Sequence, residues 1–181
     1  MGSFCLELQA KSKEIDITSQ KGRMRMIKNT KNARLFLLKP DLWGMKICIA
    51  QQNYHIGNFE ENTNKILCAI EEAKKQGADL ILFSEMSVCG YPARDFVEFN
   101  DFIEQCYQSI EKIKQAADNI GVLIGSPARN PEKKGKDLFN AAFFLHEQKI
   151  IAEIHKTLLP TYDVFDENRY FEWKKISNYH L

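Results

Sequence analysis

Three short stretches hold residues able to do acid–base or acyl-transfer chemistry. They are Ser84-Glu85-Met86, Gly125-Ser126-Pro127 and His155-Lys156-Thr157. Each closes a short apolar run of strand type, and in open α/β sheets ligands sit at the carboxyl ends of strands. Glu85 directly follows Leu80-Ile81-Leu82-Phe83-Ser84. A carboxylate at the mouth of a buried strand is partly desolvated, which raises its pKa toward the range of a general base. The plainer reading is a strand-end acid that pairs with a basic neighbour or caps a backbone amide. Lys156 taken alone reads as a solvated surface lysine. Held near a carboxylate it stays protonated and stabilises an oxyanion. His155 is a candidate base, although a lone histidine at a strand end is more often structural. Cys89, four residues after Glu85, invites a nucleophile reading. Val88, Gly90 and Pro92 around it favour a packed, inert thiol.

The elements that must position these residues are legible in the apolar pattern. Lys46-Ile47-Cys48-Ile49-Ala50, residues 79–83 and Gly121-Val122-Leu123-Ile124-Gly125 read as buried strands. Asn58 with Glu61 three residues on is a capping-box signature. Phe59, Ile66, Leu67, Ile70 and Ala73 then follow at helical spacing, with Gly77 as the stop. Phe99, Phe102, Ile103, Cys106, Tyr107, Ile110 and Ile113 draw a second helix. Residues 127–137 read as a polar loop. Two more strands, 138–145 and 150–154, flank the tight turn His146-Glu147-Gln148. Strand and helix alternate before a closing hairpin, which predicts an α/β fold with a mixed sheet.

Residues 1–44 differ. They are rich in Lys and Arg and show no sustained period of 2 or 3.6; only Leu35-Phe36-Leu37-Leu38 is a compact apolar run. This segment is expected to be a poorly ordered N-terminal extension or the product of an upstream start codon. A basic arm for a polyanion is the sharper alternative, with no interleaved aromatics to support it.

The 181 residues suffice for one domain, and a net charge of +1 gives no reason to expect a nucleic-acid partner. No run of about 18 apolar residues spans a membrane, and the first residues lack the apolar core of a secretory signal. The five cysteines form no CxxC pair and the four histidines no ligand-like cluster, so no metal site is expected. Reduced thiols and a cytoplasmic location are the expectation.

Leu82-Phe83-Ser84-Glu85-Met86-Ser87-Val88-Cys89-Gly90-Tyr91-Pro92 resembles the glutamate motif of the nitrilase superfamily, the carbon–nitrogen hydrolases. His155-Lys156-Thr157-Leu158-Leu159-Pro160 resembles the lysine motif, and residues 45–51 resemble the opening strand. The segments 89–95 and 159–171 are similar to the glutaminase domains of glutamine-dependent NAD synthetases. The resemblance runs from Met45 to about Phe171 and divides the chain into a non-family extension, 1–44, and a hydrolase domain, 45–181.

The resemblance implies a four-layer αββα sandwich and a Glu-Lys-Cys triad. Glu85 is then the general base and Lys156 the oxyanion-stabilising cation. Tyr162 and Phe165 line a glutamine pocket, and Glu167 is a supporting second glutamate. In enzymes of that kind, glutamine is hydrolysed through a cysteine thioester. The ammonia passes to a synthetase domain, which uses ATP and Mg²⁺ to convert nicotinic acid adenine dinucleotide to NAD. Glutamine, a synthetase domain and further copies in a homo-oligomer are therefore the implied partners.

One departure matters. The superfamily nucleophile follows the lysine motif, whereas no cysteine follows Cys106 here, and residues 177–181 match no known pattern. The expectation is a partial domain, with only the first part of the sandwich and no amidase activity by itself. Two other readings stay open: a non-catalytic module that assembles with a partner chain, and another hydrolase of small amides, including one that uses Cys89.

Overall fold

A computed structural model describes residues 24–30, 33–38, 44–132 and 134–173. The backbone forms a seven-stranded mixed sheet in the chain order β1 to β7. The strands are β1 Met24–Thr30, β2 Ala33–Leu38, β3 Ile47–Gln52, β4 Leu80–Leu82, β5 Gly121–Arg129, β6 Leu138–His146 and β7 Lys149–His155. β3, β4 and β5 are parallel, and the outer pairs are antiparallel. Two long helices, α1 (Phe59–Lys75) and α2 (Asn100–Gln115), make the parallel crossovers, and the short α3 (Glu167–Tyr170) follows β7.

Alternation along the strands separates two faces. Cys48, Ala50, Ile81, Val122, Phe143 and Leu145 join Ile66, Ile70, Ile110 and Ile113 of the helices in one core. Ile49, Leu82, Leu123 and Phe144, between them in register, are only half-buried. The described residues thus supply one sheet and one helical layer of an αββα arrangement. No described helix is long and apolar enough to cross a membrane.

α1 starts where the capping pair predicted. The Asn58 side chain accepts from Glu61 N–H at 3.2 Å and donates to Glu61 Oε2 at 2.7 Å. Acidic Glu60 and Glu61 begin the helix and Lys74 and Lys75 end it, matching its dipole. Phe59 and Phe102 meet edge to face with ring centroids 5.0 Å apart, joining the two helices.

Three expectations need correction. Residues 24–30 and 33–38, expected as part of a poorly ordered extension, form an antiparallel hairpin that pairs with β3 from Ala33↔Gln52 to Leu38↔Ile47. Leu35 and Leu37 are buried, so the one apolar run in this segment serves as a sheet strand. Residues 1–23 lie outside the described residues. Next, β5 runs through Gly125-Ser126-Pro127 to Arg129, so that stretch is not a strand end. β6 pairs across it, and β4 stops at Leu82, which leaves one edge of β5 open where Pro127 forgoes no ladder bond. Finally, reduced thiols hold for the buried Cys48, Cys89 and Cys106, but Cys68 is disulfide-bonded.

Candidate active site

Glu85 leaves the sheet just after β4, on a tight turn held against β5. Phe83 N–H donates to Leu123 O at 2.9 Å, and Gly90 N–H to Met86 O at 2.7 Å. Gly125 permits this approach, because a Cβ there would lie 2.6 Å from Met86 N and 2.9 Å from Glu85 Cα. Backbone cannot yield at such a distance, so only glycine fits. The same turn is tied to α1 through buried Asn62, which donates to Val88 O at 3.2 Å and to His55 O at 2.8 Å.

Lys156 follows β7. Its N–H donates to Asn140 O at 2.8 Å, extending the β6–β7 ladder by one bond. Its Nζ contacts two carboxylates: Glu85 Oε1 at 2.9 Å, and Glu167 Oε1 and Oε2 at 3.0 and 2.9 Å. Glu167 opens α3 and is fixed by its own N–H donating to Pro160 O at 3.1 Å.

Two further residues complete the cluster. Asn140 Nδ2 donates to Glu85 Oε1 at 2.6 Å and to Glu167 Oε2 at 3.2 Å. Tyr91 OH donates to Glu167 Oε1 at 2.9 Å. The amide orientation of Asn140 follows from chemistry, since only an N–H group can face two carboxylates. Sequence reasoning missed both residues as functional. Tyr91 stood inside the glutamate motif, and Asn140 was a lone amide within an apolar strand run; those were the available signals.

The two glutamates are not equivalent. Glu167 is 5% exposed and both its oxygens are engaged. Glu85 is 42% exposed, and its Oε2 accepts no hydrogen bond from the described residues. The unengaged oxygen therefore belongs to Glu85. A cavity of about 290 Å³ opens beside it, lined by Glu85, Asn140, His155, Lys156 and apolar strand residues.

Burial alone would raise the Glu85 pKa, as expected from its position. Hydrogen bonds from Lys156 and Asn140, the neighbouring Glu167 carboxyl and the Lys156 charge together outweigh it, and the net shift is downward. That corrects the sequence expectation of a raised value, which had no view of donors 55 and 71 positions away. For Lys156 burial works against the charge, but the two glutamates prevail and hold the ammonium above its ordinary range. Tyr91 is pushed up by burial and by Glu167, so its phenol stays a donor.

The remaining candidates separate clearly. His155 stacks on Phe139 at 4.0 Å and its Nε2 lies 2.7 Å from Glu153 Oε1. Cys89 is fully buried, and its thiol is raised well above the usual value by the neighbouring Cys106 and by burial. Tyr162 is 68% exposed and packs edge-on to Phe165 at 5.5 Å, and Phe165 in turn lies 6.2 Å from the Tyr91 ring. Neither Tyr162 nor Phe165 lines the cavity beside Glu85 or a second one of about 280 Å³ bordered by Tyr91 and Glu167.

Residues 46–175 match the model of the carbon–nitrogen hydrolase family. The chain belongs to that family. A glutamine-dependent NAD(+) synthetase from Synechocystis sp. is 39% identical over 139 residues, covering 75% of this chain and 25% of that protein. A glutamine-dependent NAD(+) synthetase from Acinetobacter baylyi is 36% identical over 129 residues, covering 70% and 23%. The chain thus spans about a quarter of the length of the curated relatives it matches. Among solved structures, the glutamine-dependent NAD+ synthetase from Acinetobacter baumannii superposes with a TM-score of 0.65 at 34% identity, over 72% of this chain and 24% of that one. An amidase from Nesterenkonia sp. superposes at 0.60 with 19% identity, over 72% and 48%, a likeness of fold alone. The sheet and helices are accordingly those of the nitrilase-type α/β fold, and the domain is a carbon–nitrogen hydrolase related to the NAD synthetases.

Proposed function

We propose that this domain supplies the base and the cation of a glutamine amidohydrolase site, and that the ammonia feeds ATP-dependent NAD synthesis in a larger enzyme. The observation that carries this reading is Lys156 Nζ held between Glu85 and Glu167 while Glu85 keeps one oxygen unengaged. In the proposed reaction, Glu85 Oε2 takes the proton of a cysteine thiol. The thiolate attacks the carboxamide carbon of glutamine, and the carbonyl oxygen becomes an oxyanion. Its neighbour Lys156, whose N–H groups already serve the two glutamates, acts through its charge. Glu85 returns the proton to the departing nitrogen, so ammonia leaves and a thioester remains for water to hydrolyse.

The thiol is proposed to come from outside the described cysteines, because Cys48, Cys89 and Cys106 are buried and Cys68 is disulfide-bonded. Tyr162 and Phe165 are proposed to help line the glutamine site. ATP and Mg²⁺ belong to the synthetase domain of the larger enzyme; among the described residues here no group of three or more His, Cys, Asp or Glu is gathered to hold a metal. A cytoplasmic homo-oligomer is the proposed setting. The test is ammonia release from glutamine by the purified 181-residue chain, expected at the level of buffer. Steady release that survives Cys89→Ala but is lost in Glu85→Ala would overturn the assignment of the nucleophile.

A second reading, an interaction module without catalysis, is favoured by Ile150, Ile151 and Ile154 of β7, all exposed. Size-exclusion chromatography separates the two: a well-behaved monomer with cooperative unfolding argues against the module.

A further inference from the structure

Two carboxylates that share one ammonium carry a net charge of −1, and without further help one of them tends to take a proton. Here Lys156 serves both Glu85 and Glu167, so a further donor is needed to keep Glu85 ionised. Asn140 meets that need. It lies in β6, opposite Pro127 of β5, with its side chain buried. Its backbone carbonyl also accepts from the Lys156 backbone N–H at 2.8 Å, so one residue ties the two glutamates to the end of β7. Both hydrogens of its amide are used, one on each glutamate, at 2.6 and 3.2 Å. An alanine would supply neither, and an aspartate of nearly the same shape would add a third negative charge.

We propose that Asn140 is a positioning residue: its amide bridges Glu85 and Glu167, holds the Glu85 carboxylate ionised beside Lys156, and assigns proton uptake to Glu85 Oε2. The amide and the ammonium both occupy Oε1 of Glu85. That concentrates donors on one oxygen and leaves the other as the base. The charged or titratable groups facing Glu85 are Lys156 after β7, Glu167 on α3 and Tyr91 in the turn after β4. Asn140 is the uncharged donor to Glu85 among the described residues, as Tyr91 OH donates to Glu167. This inference rests on the reading of Glu85 as the general base, although its test needs no turnover.

The experiment follows the Glu85 side-chain carboxyl by NMR as pH is lowered, in the intact 181-residue chain and in Asn140→Asp, Asn140→Ala and Lys156→Met. Asn140→Asp is expected to raise the Glu85 midpoint by about one pH unit, and Asn140→Ala by about half a unit. Lys156→Met raises it as well and shows that the signal responds to a lost donor. If the aspartate variant does not fold, the alanine variant carries the test, since it adds no charge. An unchanged Glu85 midpoint in a folded Asn140 variant, beside a shifted one in Lys156→Met, overturns the proposal. Failure of the amidohydrolase reading looks different: the midpoint shifts as expected while Glu85→Gln has no effect on glutamine hydrolysis in the complete enzyme.

Discussion

Lys156 Nζ lies 2.9 Å from Glu85 Oε1, though the two residues stand 71 positions apart in the chain. The contact exists because β4 and β7, with β5 and β6 between them, both end at the same rim of the sheet. Glu167, buried at the start of α3, closes the group from the third side. Glu85 is half exposed and Glu167 is buried, so the proposed chemistry and the stability fall to different glutamates, and each share can be measured.

Replacing the buried partner should hurt the fold, and replacing the exposed one should not. Glu167→Gln leaves Lys156, Tyr91 and Asn140 short of an acceptor, at a cost of about 1–3 kcal/mol. Glu85→Gln, half in solvent, is expected to change stability by less than about 1 kcal/mol. Urea unfolding of both variants at neutral pH checks the order; equal losses would contradict it.

The pH dependence has two limbs. Glu85 has a lowered pKa in the folded chain, so its contribution is present above the ordinary carboxylate value and is lost as pH falls through the folded value. Lys156 has a raised pKa, so its contribution is complete below the ordinary lysine value and is lost as pH rises through the folded value. Unfolding free energies should thus form a plateau at neutral pH that falls on both sides. In Lys156→Met the alkaline limb should shrink to the part left by Tyr91, whose raised phenol also loses stability as pH rises.

Gly125→Ala tests how the Glu85 turn is seated. The new Cβ meets the backbone at Met86 N, Glu85 Cα and Ser84 O, between 2.6 and 3.0 Å. A loss of about 1–3 kcal/mol is expected from overpacking against atoms that cannot rotate away. The Glu85 midpoint should move toward its ordinary value as the turn is pushed from Lys156. A melting temperature and a Glu85 titration both unchanged would show that the turn is not tightly held.

Cys89 should be inert in the folded chain. It is buried, its Sγ lies 3.8 Å from Met86 O, and its thiol is raised well above the usual value. Iodoacetamide followed by peptide mass spectrometry should label it only after denaturation. Rapid native labelling slowed by glutamine would instead revive Cys89 as a nucleophile.

Most of the scaffold was legible before any coordinates. Ile47-Cys48-Ile49-Ala50 and Gly121 to Gly125 are short, apolar and bounded, as buried parallel strands must be. Asn58 and Glu61 marked the start of α1 through a local interaction that sequence spacing alone determines. The β1–β2 hairpin was hidden because its order comes from pairing with β3, a non-local event, and its sequence mixes charges with apolar residues as edge strands do. Glu85 and Lys156 stood out by strand-end position and flanking motif. Asn140 did not, since its meaning depends on two glutamates that reach it from distant segments. The direction of the Glu85 shift was misjudged for the same reason: burial is legible locally, but the donors that reverse its effect are not.

The most direct measurement is the glutamine-driven rate of a chimera in which residues 46–175 of this chain replace the matching segment of the Synechocystis NAD synthetase. The ammonia-driven rate of the same chimera serves as the control for folding. The account predicts that the chimera makes NAD from glutamine and that Glu85→Gln lowers this rate by about 10²–10⁴-fold while the ammonia-driven rate is unchanged. A glutamine-driven rate that is the same with and without Glu85→Gln would contradict it.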